Sequence, residues 1–375
     1  MRTPRRRGYR ELLLILGLVG FAASVSGSFW VVFLTQEFAL PPGLIAAMFA
    51  GATFVAAAGC LVLGRIPSLP ATRTMIAGLA CSAAMQVVLA FLQGPPLYVL
   101  FALLYGLYIP LFWLPWNTLV VEQTRVDDRG EKLAGVSFGY NLAGFCAPFV
   151  GGVIVTAFGF PRLFFFATAV LVVAMAVAAA FAQDPDRVLL RVDLRRLGAR
   201  NAAAYVGQGG IDGVLWTAVP LVALSFLADD VQLGALFSLF VLAGGLGGIA
   251  LGRWSDRIRH RRRFLALGAA LPIPLVLAVA LAPSLFWFGL ANGLLSASLV
   301  LAPTFVNTIA IDRLPGEPGL VMTTREVLLN TARCISSSIL LVLFAAGVDA
   351  QPAIVLIAFF LPMEALARSR PRSAL

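Results

Sequence analysis

Charge is what this chain has least of. Asp, Glu, Lys and Arg make up 12% of its 375 residues, against about 25% in soluble domains, which excludes a globule surrounded by water. Histidine occurs once, as His260, and lysine once, as Lys132. The four cysteines, Cys60, Cys81, Cys146 and Cys334, all fall in apolar stretches without disulfide or metal-ligand spacing and read as small fillers. No phosphate-binding loop or metal-ligating cluster is present, which argues against an ATP-driven pump and a metal centre. His260 sits in an arginine-rich loop as a solvated base. No catalytic residue and no cofactor is expected.

What the chain does have is apolar length. Hydrophobic residues make up 60% of it and the mean hydropathy is +0.92. A membrane-spanning helix needs ~20 mostly apolar residues. Twelve stretches approach or exceed that, at 11–36, 43–64, 74–93, 96–121, 133–157, 161–182, 203–227, 231–252, 264–282, 285–311, 326–347 and 351–366. The fold class is therefore an all-α polytopic membrane protein of twelve transmembrane helices. Span 1 is too long for a cleaved signal peptide and reads as an uncleaved helix.

The net charge of +10 is placed for a membrane and not for nucleic acid. Arginines crowd before span 1, between spans 6 and 7 (Arg187, Arg191, Arg195, Arg196, Arg200) and between spans 8 and 9, with smaller sets after spans 2, 4 and 12. The intervening loops carry almost none, Arg162 being the exception. That alternation predicts cytoplasmic termini on a multi-pass protein. Arginine outnumbers lysine 27 to 1, a codon bias that points to a GC-rich prokaryote and so to a cell inner membrane. The partners implied are the bilayer, a small-molecule substrate and protons, with one copy of the chain sufficing.

The longest connection divides the chain into an N-terminal six-helix bundle (1–182), a cytoplasmic linker (183–200) and a C-terminal six-helix bundle (201–375). The halves match in order. Span 1 has SGSFW at 26–30 where span 7 has DGVLW at 212–216. Span 2 ends LVLGR and span 8 IALGR; span 4 closes NTLVVE at 117–122 and span 10 NTIAID at 307–312. Asn141 and Asn330 follow at nearly equal intervals. Parallel repeats of this kind are a known transporter architecture.

Residues 252–263, GRWSDRIRHRRR, resemble the loop signature G-x-x-x-D-R-x-G-R-R of the major facilitator superfamily (MFS). Gly252, Asp256, Arg257 and Arg261 fit it, and Arg259 stands where glycine is usual. The first-half loop has Ser68 in place of the acid. AGFCAPFVGG at 143–152 is similar to the family's antiporter signature, with Ala143 and Ala147 replacing two glycines. The resemblance implies two bundles that rock about a central cavity. It also implies a gating loop in which Asp256 opposes a neighbouring helix N-terminus while the arginines stay with headgroups or cytosol. A plain topology anchor is the other reading of that loop.

In the family's fold the third and sixth helix of each half lie outside. The polar residues agree with that partition. Spans 6 and 9 are nearly free of them, span 12 is apolar until Glu364, and span 3 has only Ser82 and Gln86. The inner spans carry Trp30 on span 1, Tyr108 and Trp113 on span 4, and Tyr140 and Asn141 on span 5. In the second half they carry Gln208, Asp212, Trp216, Asn292, Asn330 and Arg333. Lipid offers such groups no partners, so they are expected to line a shared site. Three other sets have blander readings: the serines of spans 1 and 11 as helix packing, Tyr105, Tyr108 and Phe112 as a packing stripe, and Trp116 as an interfacial anchor.

Asp212 is expected ~14 Å and Arg333 ~11 Å into the membrane, counting 1.5 Å per residue from their helix starts. Three readings of the carboxylate stay open: a titrating group that couples proton movement to transport, a permanent bridge with Arg333, or a contact for a positive group on the substrate. The function expected is a secondary transporter for an amphipathic or weakly charged organic solute, exporting it by proton exchange. The alternatives are a proton-coupled importer of a small polar metabolite and a non-transporting sensor or scaffold.

Overall fold

The computed structural model describes residues 8–66, 68–123, 136, 139, 144–181, 187–257 and 261–368, with the backbone alone at 249, 251–257 and 261–264. The first half contains α1 (Tyr9–Gln36), α2 (Pro42–Leu63), α3 (Ala71–Phe91), α4 (Pro95–Glu122), α5 (Ala147–Phe158) and α6 (Phe160–Ala180). The second contains α7 (Ala199–Phe226), α8 (Asp230–Arg257), α9 in two pieces (Arg261–Ala270 and Pro272–Ala280), α10 (Leu285–Arg313), α11 (Pro318–Ala345) and α12 (Ala350–Glu364). Among the described residues, nine helices are long and apolar enough to cross a membrane, and shorter apolar helices occupy the places of α5, α9 and α12.

Proline and glycine punctuate these helices. Proline stands in the first turn of α2, α4, α6 and α11, where the missing N–H costs nothing. Gly159, at φ +83°, is the whole connection between α5 and α6. Several helices bend where the sequence supplies a reason. In α4 the backbone widens to a π turn over Ile109–Trp113, at Pro110, and α10 is interrupted at Val300, ahead of Pro303. α11 begins at Pro318, eight residues before the expected 326. Its first two turns carry Thr323 and Thr324, both buried against protein, so a hydropathy window stops short of them.

α3, α6, α9 and α12 find their main partners within their own halves, whereas α2 packs along α11 and α5 along α8 between the halves. Large apolar side chains such as Phe54, Phe91, Leu281 and Phe359 are exposed, as a hydrocarbon-facing surface requires. The connection between the halves touches both. β2 (Arg187–Val188) pairs antiparallel with β1 (Leu69–Pro70), and Arg187 Nε donates to Ser68 Oγ at 2.6 Å. The Asp193 N–H then donates to Thr324 Oγ1 on α11 at 3.0 Å, and Arg196 pairs with Glu317.

In the second half α7 and α11 approach one another backbone to backbone. A β-carbon at Gly209 would overlap the Leu329 backbone, and one at Gly213 would overlap Ser336 Oγ and the Arg333 backbone. This Gly-x-x-x-Gly pair removes the side chains that would otherwise hold the two helices apart. Gly207 and Gly210 do the same on another face, against Phe360 of α12. Substituting Gly209→Val is expected to cost about 1–3 kcal/mol by overpacking, lowering the thermal unfolding midpoint of the detergent-solubilised protein. Gly293→Ala is the control: its new methyl would meet only Ala243 Cβ, at 3.9 Å, and it should leave the midpoint nearly unchanged.

Candidate functional site

Asp212 follows from that glycine contact. It lies between Gly209 and Gly213 in sequence, so the carboxylate emerges beside α11. Asp212 is 13 residues along α7 and Arg333 15 residues along α11, roughly 20 and 22 Å by helical rise. The two depths match, though both helices start earlier than the sequence predicts. Arg333 Nη2 donates to Asp212 Oδ2 at 2.6 Å and Nε donates to the same oxygen at 3.2 Å. The pair is only partly dry: the Arg333 side chain is 12% exposed and that of Asp212 26%.

Two further contacts fix the guanidinium. Its Nη1 donates to Asn330 Oδ1 at 3.1 Å, and its carbon lies 4.6 Å from the centre of the Trp216 ring, a cation–π distance. Trp216 in turn meets Tyr105 at 6.1 Å and Phe49 at 6.4 Å, so the ionic centre of the second half rests on rings from the first. Those rings continue as a chain. Trp30 packs edge-on to Tyr105, which stacks on Tyr108; Phe112, Trp113 and Trp116 follow along α4.

A second ionic pair lies two turns nearer the arginine-rich face. Glu326 is 4% exposed and accepts from Arg325 Nη1 at 2.5 Å, from Asn330 Nδ2 at 3.4 Å and, across the halves, from Asn117 Nδ2 at 3.5 Å. Beside it is a cavity of about 310 Å³. It is lined from the first half by Trp113, Trp116 and Asn117, and from the second by Gln208, Asn307 and Arg325. Gln208 is one helical turn before Asp212, so it joins the cavity to the ion pair. On the opposite face the halves are shut: Gly152 lies against the Asp230 backbone, Gly234 against Pro148, and the Phe149 N–H donates to Ser238 Oγ at 3.0 Å.

A family model described as Major Facilitator Superfamily matches residues 12–204, just over half of the chain. The chain belongs to the major facilitator superfamily. It is a multi-pass membrane transporter. Two solved structures share the fold. The human organic anion transporter MFSD10 (TETRAN) is 17% identical with a TM-score of 0.67, over 98% of this chain and 100% of that one. FucP, an MFS transporter in the outward conformation, is 15% identical with a TM-score of 0.67, over 96% and 97%. No curated protein matches in sequence.

Against that MFS frame, the structure brings together Asp212, Arg333, Trp216 and Asn330, with Gln208 and Trp113 on the adjoining cavity and Trp30 and Tyr108 in the ring chain. Asn292 is buried in α10, its Oδ1 without a hydrogen-bond partner. Tyr140 and Asn141 lie outside the described residues. Gly252, Asp256 and Arg257 close α8 and Arg261 opens α9; their side chains are not among those described. Trp116 is no interfacial anchor. It is 1% exposed, with Nε1 donating to the Leu12 carbonyl at 3.2 Å.

Phe49 and Arg325 are the site residues that sequence reasoning passed over; Tyr105 reads there as packing, and Asn117 as part of the repeat rather than of the site. The repeat held the signal for Asn117: it opens NTLVVE and Asn307 opens NTIAID, and both line the cavity. Glu364 is a buried carboxylate, 1% exposed with Oε2 unpartnered, beside Gly207 of α7. A Gly-x-Ser-x-Gly string occurs at 135–139. Gly135, Ser137 and Phe138 of that string lie outside the described residues. Removing one partner of a buried ion pair costs about 3–5 kcal/mol. At this partly exposed pair Arg333→Gln is expected to destabilise by less than that amount, and Asp212→Asn/Arg333→Gln by less again. A double-mutant cycle in thermal unfolding checks this.

Proposed function

We propose that this MFS transporter exports a small organic solute in exchange for protons, rocking its halves about the α7–α11 ion pair. The orientation proposed is cytoplasmic termini in a cell inner membrane, with the protein acting as a monomer. One observation carries the reading. Among the described residues Asp212 is the carboxylate that accepts from Arg333, yet it keeps a quarter of its side chain exposed, so water and protons can reach it. Protonation of Asp212 releases Arg333, and deprotonation re-forms the bond. Those are two states of one wall, each able to favour a different packing of the halves.

Other features support the same reading. The halves are closed on one face by the α5–α8 contact, and the polar cavity lies between them on the other. MFSD10 is described as an organic anion transporter, in keeping with a small organic cargo. A permanent structural bridge is the competing role for the ion pair. Transport in proteoliposomes with an imposed pH gradient separates the two, using a compound found by thermal-shift screening of metabolites and drugs. Wild-type protein is expected to move it against the protons. Asp212→Asn should lose gradient-driven movement and keep solute–solute exchange. If gradient-driven transport survives in Asp212→Asn, proton exchange at this carboxylate is wrong; solute moving with the protons makes the protein an importer.

A further inference from the structure

The wall of the cavity is not satisfied by the protein's own groups. Arg325 uses Nη1 to hold Glu326, while its Nε is buried without a partner. Gln208 Oε1 and Asn307 Oδ1 are in the same state, and all three residues line the one cavity. Hydrogen-bonding atoms left unmet in a low-dielectric interior are costly, and a cluster of them marks a place where a ligand or water completes the shell. Facing them are Trp113 and Trp116, their rings 5.7 Å apart and nearly perpendicular. The Trp116 N–H is already bonded to Leu12, so what it offers a ligand is its ring.

The sign of charge is equally defined. Asp212 pairs with Arg333 and Glu326 with Arg325, so the ionic cluster is balanced before any ligand arrives. Among the described residues that line the cavity, Arg325 is the one charged side chain and none is a carboxylate. The cavity also lies towards the arginine-rich loops of a chain whose net charge is +10, a field that concentrates anions at its mouth. Its volume of about 310 Å³ suits a single small ring system and excludes a peptide or polyanion.

We propose that the cargo is a small aromatic acid bearing a hydrogen-bond donor. Its carboxylate takes the unpartnered Nε edge of Arg325, its ring lies against Trp113 and Trp116, and its donor meets Gln208 Oε1 or Asn307 Oδ1. This rests on the transporter reading of the same cavity and adds the class of solute.

The test is isothermal titration of the purified full-length protein in detergent with three near-isosteric probes: indole-3-acetate, indole-3-acetamide and tryptamine. The acid is expected to bind at least about tenfold tighter than the amide, as a charge-assisted bond to arginine requires, and the amine not at all. Arg325→Gln should abolish the preference for the acid. Because it strands Glu326, Arg325→Gln/Glu326→Gln is measured beside it, and the preference should vanish there too. The proposal is overturned if the acid does not bind, if tryptamine binds as well, or if the double variant keeps the acid's advantage. Binding needs no gradient, so such a failure leaves proton-driven transport standing. Acid binding without any flux in liposomes would instead keep the site and remove the transport reading.

Discussion

The close approach of α7 and α11 is what the rest of the structure depends on. Lipid gives two helices no hydrophobic reason to associate, so contact has to come from packing and from polar bonds. Gly209 and Gly213 supply the packing by bringing their backbone against Leu329 and Arg333. That contact sets Asp212 within 2.6 Å of Arg333. Without it each charge would stand alone at mid-membrane depth, at a cost of about 2.5–3.5 kcal/mol or more. The bond then orients Arg333 on Trp216, and Trp216 carries the contact to Tyr105 and Phe49 in the other half.

The two halves solve the same position differently. Ser26 of α1 stands where α7 has Asp212. It accepts a hydrogen bond from Gln86 of α3 at 2.8 Å, with both residues buried. The first half thus closes its repeat with a neutral bond to an outer helix, and the second with an ionic bond to an inner one. At this repeat position the ionisable side chain belongs to the second half alone. The bent helices agree with the repeat as well: α4 and α10 both deform near prolines, and each brings the asparagine of its Asn-Thr pair, Asn117 and Asn307, to the cavity.

Much of this was legible in the residues. Twelve apolar stretches, alternating arginine loops and four ordered matches specify a duplicated bundle. Equal depth on two inner helices specifies the Asp212–Arg333 pair, because depth is a count of residues. What was not legible depends on which way a side chain turns. Trp116 sits near a helix end, where an aromatic usually anchors to headgroups, yet the curve of α4 carries it inward against α1. Tyr105 and Phe49 look like packing because they do pack, and only the position of Trp216 makes them part of the site. Arg325 has the composition of a loop residue, and α11 had to be extended by two turns before it became a wall of the cavity.

The claim beneath all of this is that the polar side chains of the inner helices share a wet space between the halves while the outer apolar ones face lipid. Cysteine labelling tests it most directly. In a chain with Cys60, Cys81, Cys146 and Cys334 replaced by alanine, Gln208→Cys and Phe359→Cys are treated in membrane vesicles with a water-soluble, membrane-impermeant methanethiosulfonate. Phe359 is 75% exposed on the outer surface of α12, and Gln208 lines the cavity. The account predicts labelling at position 208 and none at 359 from either side of the membrane. Silence at 208, with labelling at 359, would contradict it.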